Sequence, residues 1–191
     1  MLLHPILHCQ ASTTRAFSND NNTAVAKYDG SGYSYSNNAL AAAGFSSGKT
    51  VTVNNISFQW PTVSAGLNDN WHATGQLITI FKSGSTLAFL GSATNGPSSG
   101  TATITYTDGT TQAFTLAFSD WTLNHGTSNL SPGNRIAATM TYRNSSTGQQ
   151  ARTTYVFYTS VSLTAGKIVQ SVTLPGSVTQ GRLHIFAVGV G

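Results

Sequence analysis

The 191-residue chain contains no glutamate. Its acidic groups are five aspartates set against nine Lys and Arg, and charged residues make up only 7% of the whole. With 39% hydrophobic residues and many aromatic and β-branched side chains, so little charge excludes the disordered class, which is charge-rich and core-poor. The excess of +4 comes from scattered side chains. There is no basic run or stripe, so nucleic acid is excluded as a partner class. One cysteine, Cys9, excludes an internal disulfide. No apolar stretch is long enough to span a bilayer. G-x-S-x-G and C-x-x-C are both absent, and His72, His125 and His184 show no paired spacing, which argues against a nucleophile elbow and a zinc site.

What remains is rich in Gly, Ser, Thr and Asn, and it is organised as strands. Thr101 to Trp121 reads as a hairpin around Asp108-Gly109. Ile104, Tyr106, Phe114, Leu116 and Phe118 are all even-numbered. Only a three-residue loop, Thr107-Asp108-Gly109, puts them on one face, which requires a type I turn with Gly109 left-handed in a G1 bulge. In the hairpin of Val51 to Trp60 the apolar residues switch from odd to even, so a two-residue Asn54-Asn55 loop of type I′ is required. Ser36 to Gly44 carries the one helix signal, a short helix near 37–43 with a Ser or Asn N-cap and Gly44 at C′. Residues 24–35 read as an opening strand broken by Asp29-Gly30, while 61–75, 91–100 and 119–134 read as long loops. Four further strands follow Asn134, for roughly ten in all. The fold expected is all-β, a two-sheet β-sandwich of jelly-roll type. Residues 1–23 are read as a tail, a processing remnant or an appended segment, and 24–191 as a single domain.

Candidate chemistry is sparse. A glycosidase needs two carboxylates about the scissile bond. Asp108 is used by its turn and Asp29 precedes a glycine, which leaves Asp69 and Asp120. A triad assembled from Asp120, His125 and a serine has no supporting spacing, so no catalysis is expected. Asp69 and Asp120, with Asn70 and loop carbonyls, are the right oxygen ligands for a structural calcium, or else they make Asx-turns. Trp60 is in register with its hairpin's apolar face. Trp71 and Trp121 lie in polar loops, where each either plugs the sandwich or offers a flat face to a sugar ring. Loops of an antiparallel sandwich alternate between its ends. The turns at 54–55, 82–85 and 108–109 therefore share one end, and the three long loops share the other. A sugar or calcium site is expected at that second end, from Asp69, Asn70, Trp71, Asn95, Asp120 and Trp121.

The blocks YDGSGYSYSNNALAAAG (28–44), VTVNNISFQWP (51–61), GSATNGPSSGTATITYTDGTTQAFTLAFSDWT (91–122), YRNSS (142–146) and KIVQSVTLP (167–175) carry a resemblance. Over about residues 26–190 the chain resembles the accessory domain found towards the C-terminus of secreted actinobacterial glycoside hydrolases. Relatives usually have Asp-Gly where this chain has Asn54-Asn55. The resemblance implies a β-sandwich, a secreted, extracellular setting and a non-catalytic, carbohydrate-binding-like role. The partners it implies are a polysaccharide or glycan and a catalytic glycosidase domain, here either excised or absent from a free-standing protein. The rival expectations are a structural or self-assembling module without ligand, and a small hydrolase.

Overall fold

The computed structural model describes residues 13–62, 64 and 67–191. In chain order the strands are β1 (Phe17–Ser18), β2 (Tyr33–Ser36), β3 (Thr50–Val53), β4 (Ile56–Gln59), β5 (Trp71–His72), β6 (Leu77–Ser83), β7 (Thr86–Thr94), β8 (Ser98–Tyr106) and β9 (Thr111–Phe118). They continue with β10 (Arg135–Met140), β11 (Arg143–Ser145), β12 (Gly148–Gln150), β13 (Thr154–Ser162), β14 (Ile168–Thr173) and β15 (Arg182–Val190). One helix, α1 (Asn37–Ala42), follows β2. Its Ser36 side chain caps Ala39 N–H, and Gly44 (φ 90°) takes the left-handed position after its end.

A five-stranded sheet, β10-β13-β7-β15-β5, faces a four-stranded sheet, β6-β14-β8-β9. The chain crosses between these sheets from β5 to β6, β6 to β7, β7 to β8, β9 to β10, β13 to β14 and β14 to β15, as in a jelly-roll-like sandwich. Two further pieces cover the outer face of the five-stranded sheet: the β3-β4 hairpin and the small sheet β1-β2-β11-β12. That sheet is therefore buried on both faces. Leu87 and Phe89 point to one core with Ile104, Tyr106, Leu116 and Phe118, while Ala88 and Leu90 point to the other with Phe58, Trp60 and Phe186. A strand apolar at every position, as Leu87 to Leu90 is, is what two buried faces require.

Both hairpins take the required turns. In β8-β9, Ala102 sits opposite Phe114 and Ile104 opposite Gln112, which leaves 107–109 as the loop, and Gly109 has φ 85°. In β3-β4, Val53 pairs with Ile56, and Asn54 and Asn55 have φ 48° and 61°.

Three expectations are corrected. Residues 91–94 and 98–100 are strand, so the loop between them shrinks to a turn at 95–97. Gly91 and Gly100 sit there because other groups crowd their backbone. A Cβ on Gly91 would lie 2.3 Å from His184 O, and one on Gly100 would lie 2.5 Å from Ser177 O. Of the opening strand only Tyr33–Ser36 is extended, and Thr23–Val25 is a 3-10 turn. The stretch from Thr13 on, read as tail, is part of the fold: Ala16 and Phe17 are buried, and Phe17 packs on Trp60 and Phe186 at 5.5 and 5.2 Å between ring centres. Two apolar residues in a two-residue strand give no periodicity to read. Cys9 and the rest of 1–12 lie outside the described residues.

Candidate functional site

The 95–97 turn and the 119–134 loop meet at one end of the sandwich, where Gly96 N–H donates to Asp120 Oδ2 at 3.1 Å. The 61–75 segment reaches the same end, with Ala73 N–H bonded to Leu183 O at 2.9 Å beside the Arg182–Thr94 pair. Two of the tight turns are at the other end, where Lys167 bridges to Asp108 at 2.9 Å and Ser85 N–H donates to the Gly191 carbonyl at 2.7 Å. For these two turns the alternation of loops holds, while Asn54 of the third turn lines a recess with Gly133 and Asn134, where the 119–134 loop ends.

Between the 95–97 turn, the 119–134 loop and β11 lies a cleft of about 610 Å³, with Asp29, Tyr33, Asn95, His125, Arg143 and Gln180 in its walls. One wall has unusual backbone. Leu123, Asn124, His125 and Gly126 all have positive φ (51°, 48°, 65° and 83°). Gly126 N–H bonds to Thr122 O and Thr127 N–H to Leu123 O, both at 2.9 Å, so the segment is one turn of left-handed helix. Each L-residue there costs roughly 1–2 kcal/mol, least for Asn. Asp120 holds it in place. Its Oδ1 accepts from Thr122 N–H (2.8 Å), the Thr122 hydroxyl (2.6 Å) and Asn124 N–H (3.2 Å). Thr122 Oγ1 in turn accepts from His125 N–H at 3.2 Å. Strain maintained by such a network is typical of functional sites.

The opposite wall is equally fixed. Asp29 Oδ1 accepts from Ser31 N–H (2.8 Å) and Tyr33 N–H (3.1 Å), which makes Asp29-Gly30 a turn. Asn95 Nδ2 donates to Asp29 O at 3.3 Å, and Gln180 Nε2 to Pro97 O at 2.9 Å. Arg143 is 7% exposed, and its guanidinium lies 3.6 Å from the centre of the Tyr33 ring. Burial pushes its pKa down, and the nearby Asp29 and Tyr33 offset part of this.

The six residues expected to share a site are divided. Asn95, Asp120 and Trp121 line the cleft. Asp69 and Trp71 line a separate cavity of about 300 Å³, with Trp60, Pro61, Ile78 and Phe186. Asn70 is fully buried, with Oδ1 bound to Thr14 Oγ1 (2.8 Å) and to His184 Nδ1 (2.7 Å). Asp69 fastens the N-terminal segment: Oδ1 accepts from Ala16 N–H (2.7 Å) and Asn70 Nδ2 (2.9 Å), and Oδ2 from Phe17 N–H (3.2 Å). Burial outweighs these donors and raises its pKa to about 6. The two aspartates expected to share a calcium thus line different cavities, each with N–H donors on its carboxylate. Among the described residues no group of three or more His, Cys, Asp or Glu is placed to hold a metal.

Both tryptophans expected in loops are buried, and Trp71 lies in strand β5. Trp71 is 7% and Trp121 3% exposed, and Trp121 packs edge-on to Tyr28 and Tyr35 at 5.3 and 5.0 Å. Tyr33, Arg143 and Gln180 were not among the expected site residues. Nothing local marks them, because β2, β11 and the 173–182 connection meet only through the fold. His125 was legible as a loop histidine, but not as part of a left-handed turn.

A family model described as AziU2-like beta-sandwich domain matches residues 11–191. No curated protein matches the chain.

Proposed function

The chain belongs to the AziU2-like β-sandwich domain family, and from its cleft we propose that it is a non-catalytic carbohydrate-binding module whose ligand seats between the 95–97 turn and the left-handed turn. In this reading it acts outside the cell, as an accessory to a glycoside hydrolase. The observation that carries the reading is the strained turn at 123–126, held by Asp120 against a wall of fixed amides. A sugar presents many hydroxyls, each a donor and an acceptor. Asn95, His125 and Gln180, with the Tyr33 ring beside them, are groups that match such a ligand. No hydrolysis is proposed, because Asp29 and Asp120, the two carboxylates of the cleft, are occupied by backbone N–H donors.

A glycan array on the purified domain, followed by titration of the best ligand, tests this. Asn95→Ala and His125→Gly should each weaken binding about tenfold, the loss of one or two hydrogen bonds. A blank array, or affinity untouched by both substitutions, overturns the reading. The burial of Trp71 and Trp121 favours a second reading, a packing module whose loops only close the core. That module would bind no glycan.

A further inference from the structure

Given that sugar-site reading, we propose that the ligand is acidic, a uronic-acid-type sugar whose carboxylate is gripped by Arg143. The starting observation is a buried cation without a counter-ion. Arg143 lines the cleft and is 7% exposed. Among the described residues the one ion pair is Lys167–Asp108, so Arg143 has none. Leaving a desolvated guanidinium unpaired is costly, and an anion in the cleft would remove that cost.

The guanidinium is also pre-aimed. Nε donates to Gln150 Oε1 at 2.7 Å, and the plane rests over Tyr33 at 3.6 Å, with the Trp121 ring centre 5.2 Å away. Nε is tied to Gln150 and the guanidinium is held against Tyr33, which also hydrogen-bonds the side chain, so the group is fixed where it borders the cleft. A planar fork fixed in this way suits a carboxylate, which accepts two parallel N–H bonds, better than a hydroxyl, which accepts one.

The charges around it are of both signs. Asp29 acts on Arg143 from beyond ion-pair distance and Arg152 adds positive potential. The Arg182 guanidinium is next to Gly30 at the Asp29 turn, where a Cβ would lie 3.1 Å from its Nη1. Asp120 spends its oxygens on four donors. The cleft lining itself holds one guanidinium, Arg143, and two carboxylates, Asp29 and Asp120, among otherwise neutral groups. Those neutral groups would read the ring hydroxyls while Arg143 reads the acid.

The test is an NMR titration of the whole chain with matched pairs, glucuronate against glucose and galacturonate against galactose, following the cleft amides and Arg143 Nε–H. Acetate and sulfate serve as anion controls. The expected result is that a uronate binds about tenfold or more tightly than its neutral partner and moves the Arg143 signal. Arg143→Gln should erase that preference, bringing the acid and neutral members of each pair to equal affinity. Cleft shifts with equal affinity for acid and neutral sugars overturn the acid preference and leave the sugar site standing. Shifts from acetate or sulfate that no sugar improves on reveal a plain anion site and overturn the proposal. Silence towards every sugar overturns the proposal together with the reading beneath it. Should Arg143→Gln fail to fold, the ratio within each wild-type pair still decides.

Discussion

Gly109 and Gly91 are glycines for different reasons. Gly109 has φ 85° and nothing within 4 Å of a would-be Cβ, so Gly109→Val meets only backbone strain, on the order of 1–2 kcal/mol. At Gly91 a Cβ would lie 2.3 Å from His184 O and 2.4 Å from Phe118 Cε2. Neither obstacle is a flexible tip, so Gly91→Ala should cost about 3 kcal/mol. Urea denaturation of the two variants checks the order, and a Gly91→Ala milder than Gly109→Val contradicts it. The first glycine was legible in the sequence from the parity of the flanking apolar residues. The second was not, because composition around GSATNGPSSG resembles a loop and only the packed neighbour explains it. His184 and Asp69 give a pH signature of the same residue-level kind. Burial pushes the His184 pKa well below 6.5, so the unfolded chain gains a proton there that the fold refuses, and stability falls as pH drops through 6.5. Burial also lowers His72, which acts in the same direction. Asp69 opposes them. With its pKa raised from 3.8 to about 6, it favours the fold at low pH, and that contribution is lost as pH rises from 3.8 to 6. Removing the opposing group should therefore steepen the acid side. Asp69→Asn is expected to lose stability faster than the wild type between pH 6.5 and 4.5, as measured by the urea midpoint at each pH.

Elements too short to show a period are the ones the sequence hides. β1 has two residues, yet Phe17 contacts Tyr35, Trp60 and Phe186, and its N–H and that of Ala16 donate to Asp69 alongside Asn70 Nδ2. Phe17→Ala should cost about 3–5 kcal/mol, as a large cavity in a packed aromatic cluster does. A loss below ~1 kcal/mol in urea denaturation would return this segment to the status of a tail. The same scale decides what Trp121 does. It closes the core beneath the cleft, against Tyr28 and Tyr35, so Trp121→Ala should also cost about 3–5 kcal/mol. His125→Gly, by contrast, keeps the left-handed turn and should leave stability within about 1 kcal/mol of wild type, because relieved strain offsets the added freedom of the unfolded chain. A thermal melt of the pair separates the plug from the rim residue. The turns and registers of the two hairpins were legible because alternation and turn residues agree there. The left-handed turn was not, since Leu and His carry no signal for positive φ and Asp120 imposes it from outside.

At the scale of the whole molecule, topology sorts the 82–85 and 108–109 turns to one end and the irregular segments to the other, and that much follows from counting strands. It cannot say which residues at the irregular end meet. Asn95, Asp120 and Trp121 come together at the cleft, whereas Asp69 and Trp71 belong to another cavity and Asn70 is buried against His184. The division arises because the five-stranded sheet is covered on both faces, so the end of the sandwich opens into separate recesses. The cleft is completed by β2 and β11, which lie in the extra layer and contribute Tyr33 and Arg143. Titration of the purified domain with the leading glycan of an array, comparing wild type with His125→Gly, tests the sugar-site reading most directly. The expected result is saturable binding centred on the amides of 95–96 and 122–126, weakened about tenfold by a substitution that leaves the melting temperature nearly unchanged. Binding that perturbs other surfaces and ignores His125, or no binding to any glycan, would contradict it.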